Sequence, residues 1–406
     1  TTKVPSPWRR MPHDPTDWFS REQIDRARLY QKPLSRLRAL RLGLQLVVVL
    51  VFAFSEAGPR LAEWVGADGW IQELVVIAIA LELLGVLYDL PLDAWVDLRH
   101  DRSWGVSTQT GRGLLADFAK SLALGTVLNL LLLIPLYWLL RSTDLWWLWG
   151  WLGMMVFTVL LGFLYPVLIA PIFNKFTPLD DPEMTPALMA VIDQAGADVD
   201  EVSVADASKR SRRDNAYVAG LGATQQVVVF DTLLEHPPAV VEQVVAHELG
   251  HWKLRHILKQ IPVSAVMTLA MFLFLRAVAG WDWLLEQVGA DSIGDPASLP
   301  IVLLAAGAAF SVVGLVGSFF SRASERQADQ YGLGLLRRPD RMMDMHRRLH
   351  VKNLADLTPS RWRYLQATHP PAAERLAFAD AWARAEGFDV PEPQPVTVDV
   401  ELTGRT

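Results

Sequence analysis

Two histidines four residues apart, with a glutamate beside the first, are the clearest chemical feature of this chain: Val244-Val-Ala-His247-Glu248-Leu-Gly-His251-Trp252. On an α-helix, positions i and i+4 lie one above the other, so both imidazoles can reach one ion. Glu248 sits one step round, close enough to hold the metal's water and take its proton. With nine His in 406 residues, chance gives about 0.01 occurrences of such a pattern. The bland alternative is an exposed amphipathic helix that carries two His. Val241, Val244, Val245 and Leu249 argue against it. They make the helix, which starts near Pro238, largely apolar, and a polar face inside an apolar helix needs partners.

A zinc site that keeps one position open for water needs a third protein ligand. The chain has no Cys, so the ligand must be His, Asp or Glu. The extended motif with a third His requires Gly at position 254 and His at 257, where this chain has Leu254 and Ile257. His256 is one residue out of register and, five residues from His251, on another helix face. It reads as a surface or interfacial residue. Further on comes Ser321-Arg322-Ala-Ser-Glu325-Arg326-Gln-Ala-Asp329. Glu325 and Asp329 share one helix face, which suits one ligand and one carboxylate that orients a ligating His from behind. The same spacing suits a solvated acidic edge beside Arg322 and Arg326. Spacing alone leaves both open.

The elements that must position these residues include a membrane. The composition is 51% hydrophobic and only 20% charged, with 16 Trp, more apolar surface than one soluble core hides. The absence of Cys excludes a disulfide scaffold, thiolate zinc fingers, iron–sulfur clusters and a Cys nucleophile. A net charge of -6 gives no reason to expect nucleic acid. Six apolar stretches, about 42–57, 70–90, 114–140, 145–170, 257–279 and 299–320, approach the ~20 residues that cross a bilayer as a helix. Ahead of them, residues 1–41 are polar and basic, broken by Pro5, Pro7, Pro12 and Pro15, and lack the features of a signal peptide.

Loop charges orient the spans. Arg36, Arg38 and Arg41, then Arg99, Arg102 and Arg112, then Arg337, Arg338 and Arg341 fall on one side, and the alternate loops are poor in base. Positive charge stays cytoplasmic, so both termini and residues 171–256 are expected to face the cytoplasm. Glu82 lies deep in the second stretch and is expected to face a bundle interior or a water-filled cavity. Glu73 and Lys120, nearer the ends, read as interfacial. Between the membrane groups, 171–256 reads as a soluble α/β insertion, with a helix over 182–197 and strands at 202–206, 216–218 and 226–231 beside Gly220 and Gly222. The expected division is 1–41, an N-terminal segment; 42–170, four spans; 171–256, the insertion with the metal helix; 257–321, two spans; 322–389, a helical part; and 390–406, a tail.

The chain resembles the multi-pass type I CAAX prenyl proteases, zinc enzymes that remove residues from the C-terminus of prenylated proteins. The resemblance covers about residues 26–376. It rests on Asp25-Arg-Ala-Arg-Leu-Tyr30, Trp104-Gly-Val-Ser-Thr-Gln-Thr110, Pro171-Ile-Phe-Asn-Lys-Phe-Thr-Pro-Leu179 and Ser208-Lys-Arg-Ser211 leading to Asn215-Ala-Tyr217. It continues through Val229-Phe-Asp-Thr-Leu-Leu234, the metal helix to Leu254, Glu325 to Asp329, and His369-Pro-Pro-Ala-Ala-Glu-Arg375. The resemblance implies one Zn2+ held by His247, His251 and Glu325, with Glu248 as general base. It implies that Asn215, Ala216 and Tyr217 form a strip where an extended substrate adds a strand. It also implies that His369 stabilises the oxyanion, with Arg375 supporting it and paired with Asp329. The implied fold is an α-helical polytopic membrane protein, six or seven spans around a chamber, with an inserted zincin-like α/β metalloprotease domain. Its implied partners are a peptide or prenylated protein substrate and the lipid bilayer. Two rival functions are a quality-control metalloprotease acting on non-prenylated substrates, and a transporter or scaffold with a structural metal. Structural zinc sites are closed, and the intact Glu248 argues against the last.

Overall fold

A computed structural model describes residues 14–219 and 226–389. Pro5, Pro7, Pro12, Gly220, Gly222 and the tail from 390 lie outside the described residues. The first helix, α1 (Arg21–Phe54), starts earlier than its apolar stretch. Ser20 accepts from the Gln23 N–H while the Gln23 side chain accepts from the Ser20 N–H, a reciprocal cap that launches the helix among charged residues. The basic segment before residue 42 is therefore mostly the first half of α1, which runs through Pro33. Pro15 opens a three-residue turn of 3-10 helix ahead of it.

The other long helices are α2 (Trp70–Trp95), α3 (Gly111–Ser142), α4 (Trp146–Leu164), α5 (Met184–Ala195), α6 (Pro238–Lys253), α7 (His256–Ala279), α8 (Leu299–Leu336), α9 (Pro339–Lys352) and α10 (Ala372–Ala385). Among the described residues, six helices are long and apolar enough to cross a membrane: α1, α2, α3, α4, α7 and α8, several with short extensions. Their outer faces leave Val51, Leu87, Val127, Leu131, Val156 and Val312 exposed. Helices satisfy their own backbone polar groups, so such faces suit hydrocarbon. The fold is that of an integral, polytopic helical membrane protein. Inside it α1, α2, α3, α7 and α8 enclose a cavity of about 980 Å³. Glu82 lines it, accepting from Thr126 and Asn129, and Arg41 there pairs with Asp89 and Asp93. Lys120 sits at the exposed end of α3, its ammonium on the Ile172 carbonyl at 3.1 Å.

Four strands form one sheet in the order β1-β2-β4-β3: β1 (Phe176–Pro178), β2 (Val202–Ala205), β3 (Ala216–Ala219) and β4 (Gln226–Phe230). β2 and β4 pair in parallel, and the other two pairs are antiparallel. The three expected strands are present. β1 had no counterpart in the pattern because three residues give no readable alternation. Among the described residues β3 pairs only with β4 and has no strand on its other edge. One core unites both sides of the membrane pair: Leu188 of α5, Val229 of β4 and Leu249 of α6 pack with Leu333 of α8, Met342 of α9 and Leu376 of α10. Residues 171–256 and 322–389 thus make a single body.

The tightest joint in that body lies between α6 and α8. A Cβ on Gly250 would stand 3.0 Å from the Ala328 Cα and 3.1 Å from its carbonyl oxygen. The two backbones touch there, and only glycine admits the contact. Gly250→Val should force them apart, at a cost of about 1–3 kcal/mol typical of overpacking. Thermal unfolding of the purified protein in detergent should show a lower midpoint and reduced metal content. Gly125→Ala, where nothing lies within 4 Å, should behave like the parent. A Gly250→Val protein that melts and binds metal like the parent would show that the approach is not tight.

Candidate active site

The α6–α8 contact sets Glu325 across from both histidines. His247 Nε2 and His251 Nε2 are 3.2 Å apart. Glu325 Oε2 is 3.4 Å from His247 Nε2, and Oε1 is 3.2 Å from His251 Nε2. One donor atom from each of the three residues lies within 4.8 Å of the others. Glu325 Oε2 is buried without a hydrogen-bond partner, which costs free energy unless something else satisfies it. Two imidazoles and a carboxylate converging this way fit one metal ion. Glu325 is 5% exposed and Asp329 only 1%, which removes the solvated-edge reading. Arg322 is not a solvated neighbour either. Its buried guanidinium donates to the carbonyls of Tyr364 at 3.0 Å, Leu365 at 3.2 Å and Ala367 at 2.6 Å.

Behind the centre, Asp329 Oδ1 lies 2.9 Å from His247 Nδ1. Arg375 donates to both Asp329 oxygens, at 2.8 and 2.5 Å, and also stands 3.5 Å from Glu325 Oε2. Its pairing with Asp329 matches the expectation. Its guanidinium also stands 3.3 Å from His247 Nδ1 and lines the same cleft as His369. Burial alone would lower the His247 pKa, but Asp329 and Glu325 outweigh it and raise the ring to about 10. A metal ion entering here must displace that proton. Burial also pushes the Glu248 carboxyl above its ordinary value, against the pull of His247 and His251.

A cleft of about 210 Å³ is lined by Asn215, Ala216, His247, Glu248, His369 and Arg375, among others. His369 reaches it from the loop pinned by Arg322, mostly exposed, with Nε2 at 3.4 Å from Glu325 Oε1. Asn215 and Ala216 open β3 beside the cleft. Tyr217, the next residue, is not among the lining residues, and its ring stands edge-on to Phe230. The start of β3 is fixed by Asp214, which binds His236 Nε2 and Lys352 Nζ at 2.7 Å each. This anchor was invisible to spacing, since α9 is remote in sequence.

His256 is a correction. It is buried, with Nδ1 3.0 Å from His251 Nδ1 and Nε2 3.2 Å from Gln327 Oε1. The helical wheel failed because α6 ends at Lys253 and Arg255 takes a left-handed φ of 52°, so His256 starts a new helix in a new direction. His346 also escaped notice. It sits 3.5 Å from Asp329 Oδ1, and no spacing from the metal helix points to it.

The chain is similar to known proteins over most of its length. The profile of Peptidase family M48 matches residues 178–383. The profile described as CAAX prenyl protease N-terminal, five membrane helices, matches residues 5–175. CAAX prenyl protease 1 of Saccharomyces cerevisiae is 30% identical over 74% of this chain and 70% of its own. An uncharacterized metalloprotease of Bacillus subtilis is 27% identical over 90% and 88% of the two chains. The crystal structure of S. mikatae Ste24p superposes with a TM-score of 0.79 at 24% identity, covering 89% and 90%.

Burial lowers the His346 pKa from 6.5 to about 4. The folded chain therefore binds fewer protons there than the unfolded chain does between those values. The stability it contributes is present above about pH 6.5 and is lost progressively as pH falls toward about 4. Melting midpoints should decline from pH 7 to pH 5, and His346→Asn should reduce that decline, to which His350, lowered by burial to about 3, also contributes. An identical slope in the variant would show that His346 does not carry it.

Proposed function

Because the chain belongs to peptidase family M48, and is a membrane metalloprotease, we propose that it is a zinc endopeptidase. It cleaves peptide bonds near the C-terminus of prenylated, CAAX-type proteins. The observation that carries the proposal is the convergence of His247, His251 and Glu325 beside a cleft that the open edge of β3 borders. His247, His251 and Glu325 would hold a zinc ion, which would supply Lewis acidity toward a carbonyl and lower the pKa of a water.

The chain's own residues do the rest. Within the strip Asn215 to Tyr217, the Asn215 carbonyl accepts from the Phe230 N–H of β4, so Ala216 presents its backbone N–H and C=O at the free edge, where pairing fixes the direction and register of an extended peptide. Glu248, whose carboxyl burial raises above its ordinary value, takes a proton from the attacking water and passes it to the departing amine. His369 faces the developing oxyanion. Arg375 holds Asp329, and Asp329 holds the His247 ring with its Nε2 toward Glu325. Residues 171–256 and 322–389 act as the two halves of one catalytic domain at the cytoplasmic face, a reading that the basic loops support. The apolar side of the membrane cavity, with Val48, Leu132, Leu133, Met271 and Phe272, supports a lipid-modified substrate.

Glu248→Gln should keep zinc and fold while turnover falls about 10²–10⁴-fold, because an amide cannot accept the proton. Near-normal cleavage by a zinc-loaded Glu248→Gln protein would remove Glu248 from the base role. Substrate class is tested with matched peptides, with and without a farnesyl-cysteine, on purified protein in detergent. Preference for the farnesylated peptide is expected. Equal cleavage of both would reassign the enzyme to non-prenylated substrates.

A further inference from the structure

We propose that His256 and Gln327 form a positioning pair that fixes the tautomer and orientation of His251 as a metal ligand. This rests on the metal-centre assignment above and concerns a part of it that no comparison describes. The direction of the hydrogen bonds follows from what each atom can do. Gln327 Oε1, 3.2 Å from His256 Nε2, can only accept, so His256 Nε2 carries a hydrogen. A neutral imidazole has one N–H, so His256 Nδ1 is bare and accepts from His251 Nδ1–H across 3.0 Å. That places the only hydrogen of His251 on Nδ1. Its Nε2 is left bare, pointing at His247 Nε2 and Glu325 Oε1.

The two ligating rings are thus held from behind by different chemistry. His247 is backed by a carboxylate, Asp329. His251 is backed by an uncharged ring whose own partner is an amide. His256 is 4% exposed and stacks edge-on to His251, with centroids 5.0 Å apart and planes at 77°. Its place is set by the left-handed turn at Arg255, which ends α6 and returns the first residue of α7 against the metal helix. Gln327 comes from α8, two residues past Glu325. One helix therefore supplies a ligand directly and orients a second through His256.

The test uses the full chain in detergent, with zinc affinity read by chelator competition and the ligand field by the visible spectrum of the Co2+ form. The parent should bind one zinc and His247→Ala should lose it. Failure there would overturn the metal centre and the pair with it. With the centre established, His256→Leu should weaken zinc about 10–100-fold and alter the Co2+ spectrum, as the loss of a ligand-orienting partner does. His256→Asn puts an amide oxygen near the place of Nδ1 and should recover affinity to within about threefold of the parent. Gln327→Met, which leaves His256 in place but frees its tautomer, should weaken zinc several-fold. It carries the test even if His256→Leu folds poorly. Parent-like affinity in both His256→Leu and Gln327→Met would overturn the proposal. Equal weakening by Leu and Asn at position 256 would reduce the contact to packing.

Discussion

The whole site depends on the backbone contact between α6 and α8 at Gly250 and Ala328. Every chemical group that matters is assembled across it. The two histidines stand on one helix. Glu325 and Asp329 stand on the other, two membrane spans later. Side-chain reach is short, so helices at an ordinary 8–10 Å separation meet through side chains, whereas a glycine contact brings the axes closer. At that distance a glutamate can place its oxygens against both imidazoles, and an aspartate one turn on can reach the far nitrogen of His247. The membrane helices are a scaffold for this joint as much as an anchor.

Electrostatics impose the second condition. Two carboxylates of α8, Glu325 and Asp329, are buried together with Glu248 nearby, and a single guanidinium, Arg375, touches both α8 groups. A low-dielectric pocket does not tolerate unbalanced negative charge. His247, raised to about 10, supplies a second positive charge when it carries a proton. A divalent cation would take over that duty while using the same ring as a neutral ligand. The site is built with room for a dication in its charge balance.

Much of this was legible in the chain. The spacing of His247, Glu248 and His251 defines the metal helix because the α-helix has a fixed period, and the observed helix begins at Pro238, as the pattern predicts. Three of four strands, the helix at 184–195 and six spans follow from period and length. What was hidden depends on tertiary placement. Glu325 remained undecided because an i, i+4 acidic pair looks alike buried or solvated. Arg322 looked like a surface charge and instead gathers three carbonyls of the His369 loop. His256 was misplaced because the wheel assumed one helix across a left-handed turn. For Glu325 and Arg322 local geometry was read correctly and the fold supplied a neighbour that no local rule contains; for His256 the local turn itself was missed.

α8 is one helix of 38 residues, Leu299–Leu336. Its first half lies among lipid-facing side chains and its last half carries Glu325 and Asp329. At about 1.5 Å per residue, Glu325 stands roughly 20 Å from the middle of the apolar half. Helices answer a change in bilayer thickness partly by tilting, and a tilt of about 5° there would sweep the carboxylate by about 2 Å. Displacements near 1 Å already cost about 10²-fold in rate at a well-aligned centre. The rod that carries Glu325 thus joins the candidate site to the membrane: acyl-chain length and hydrophobic mismatch would bear on its alignment, against the grip of α6 on α8.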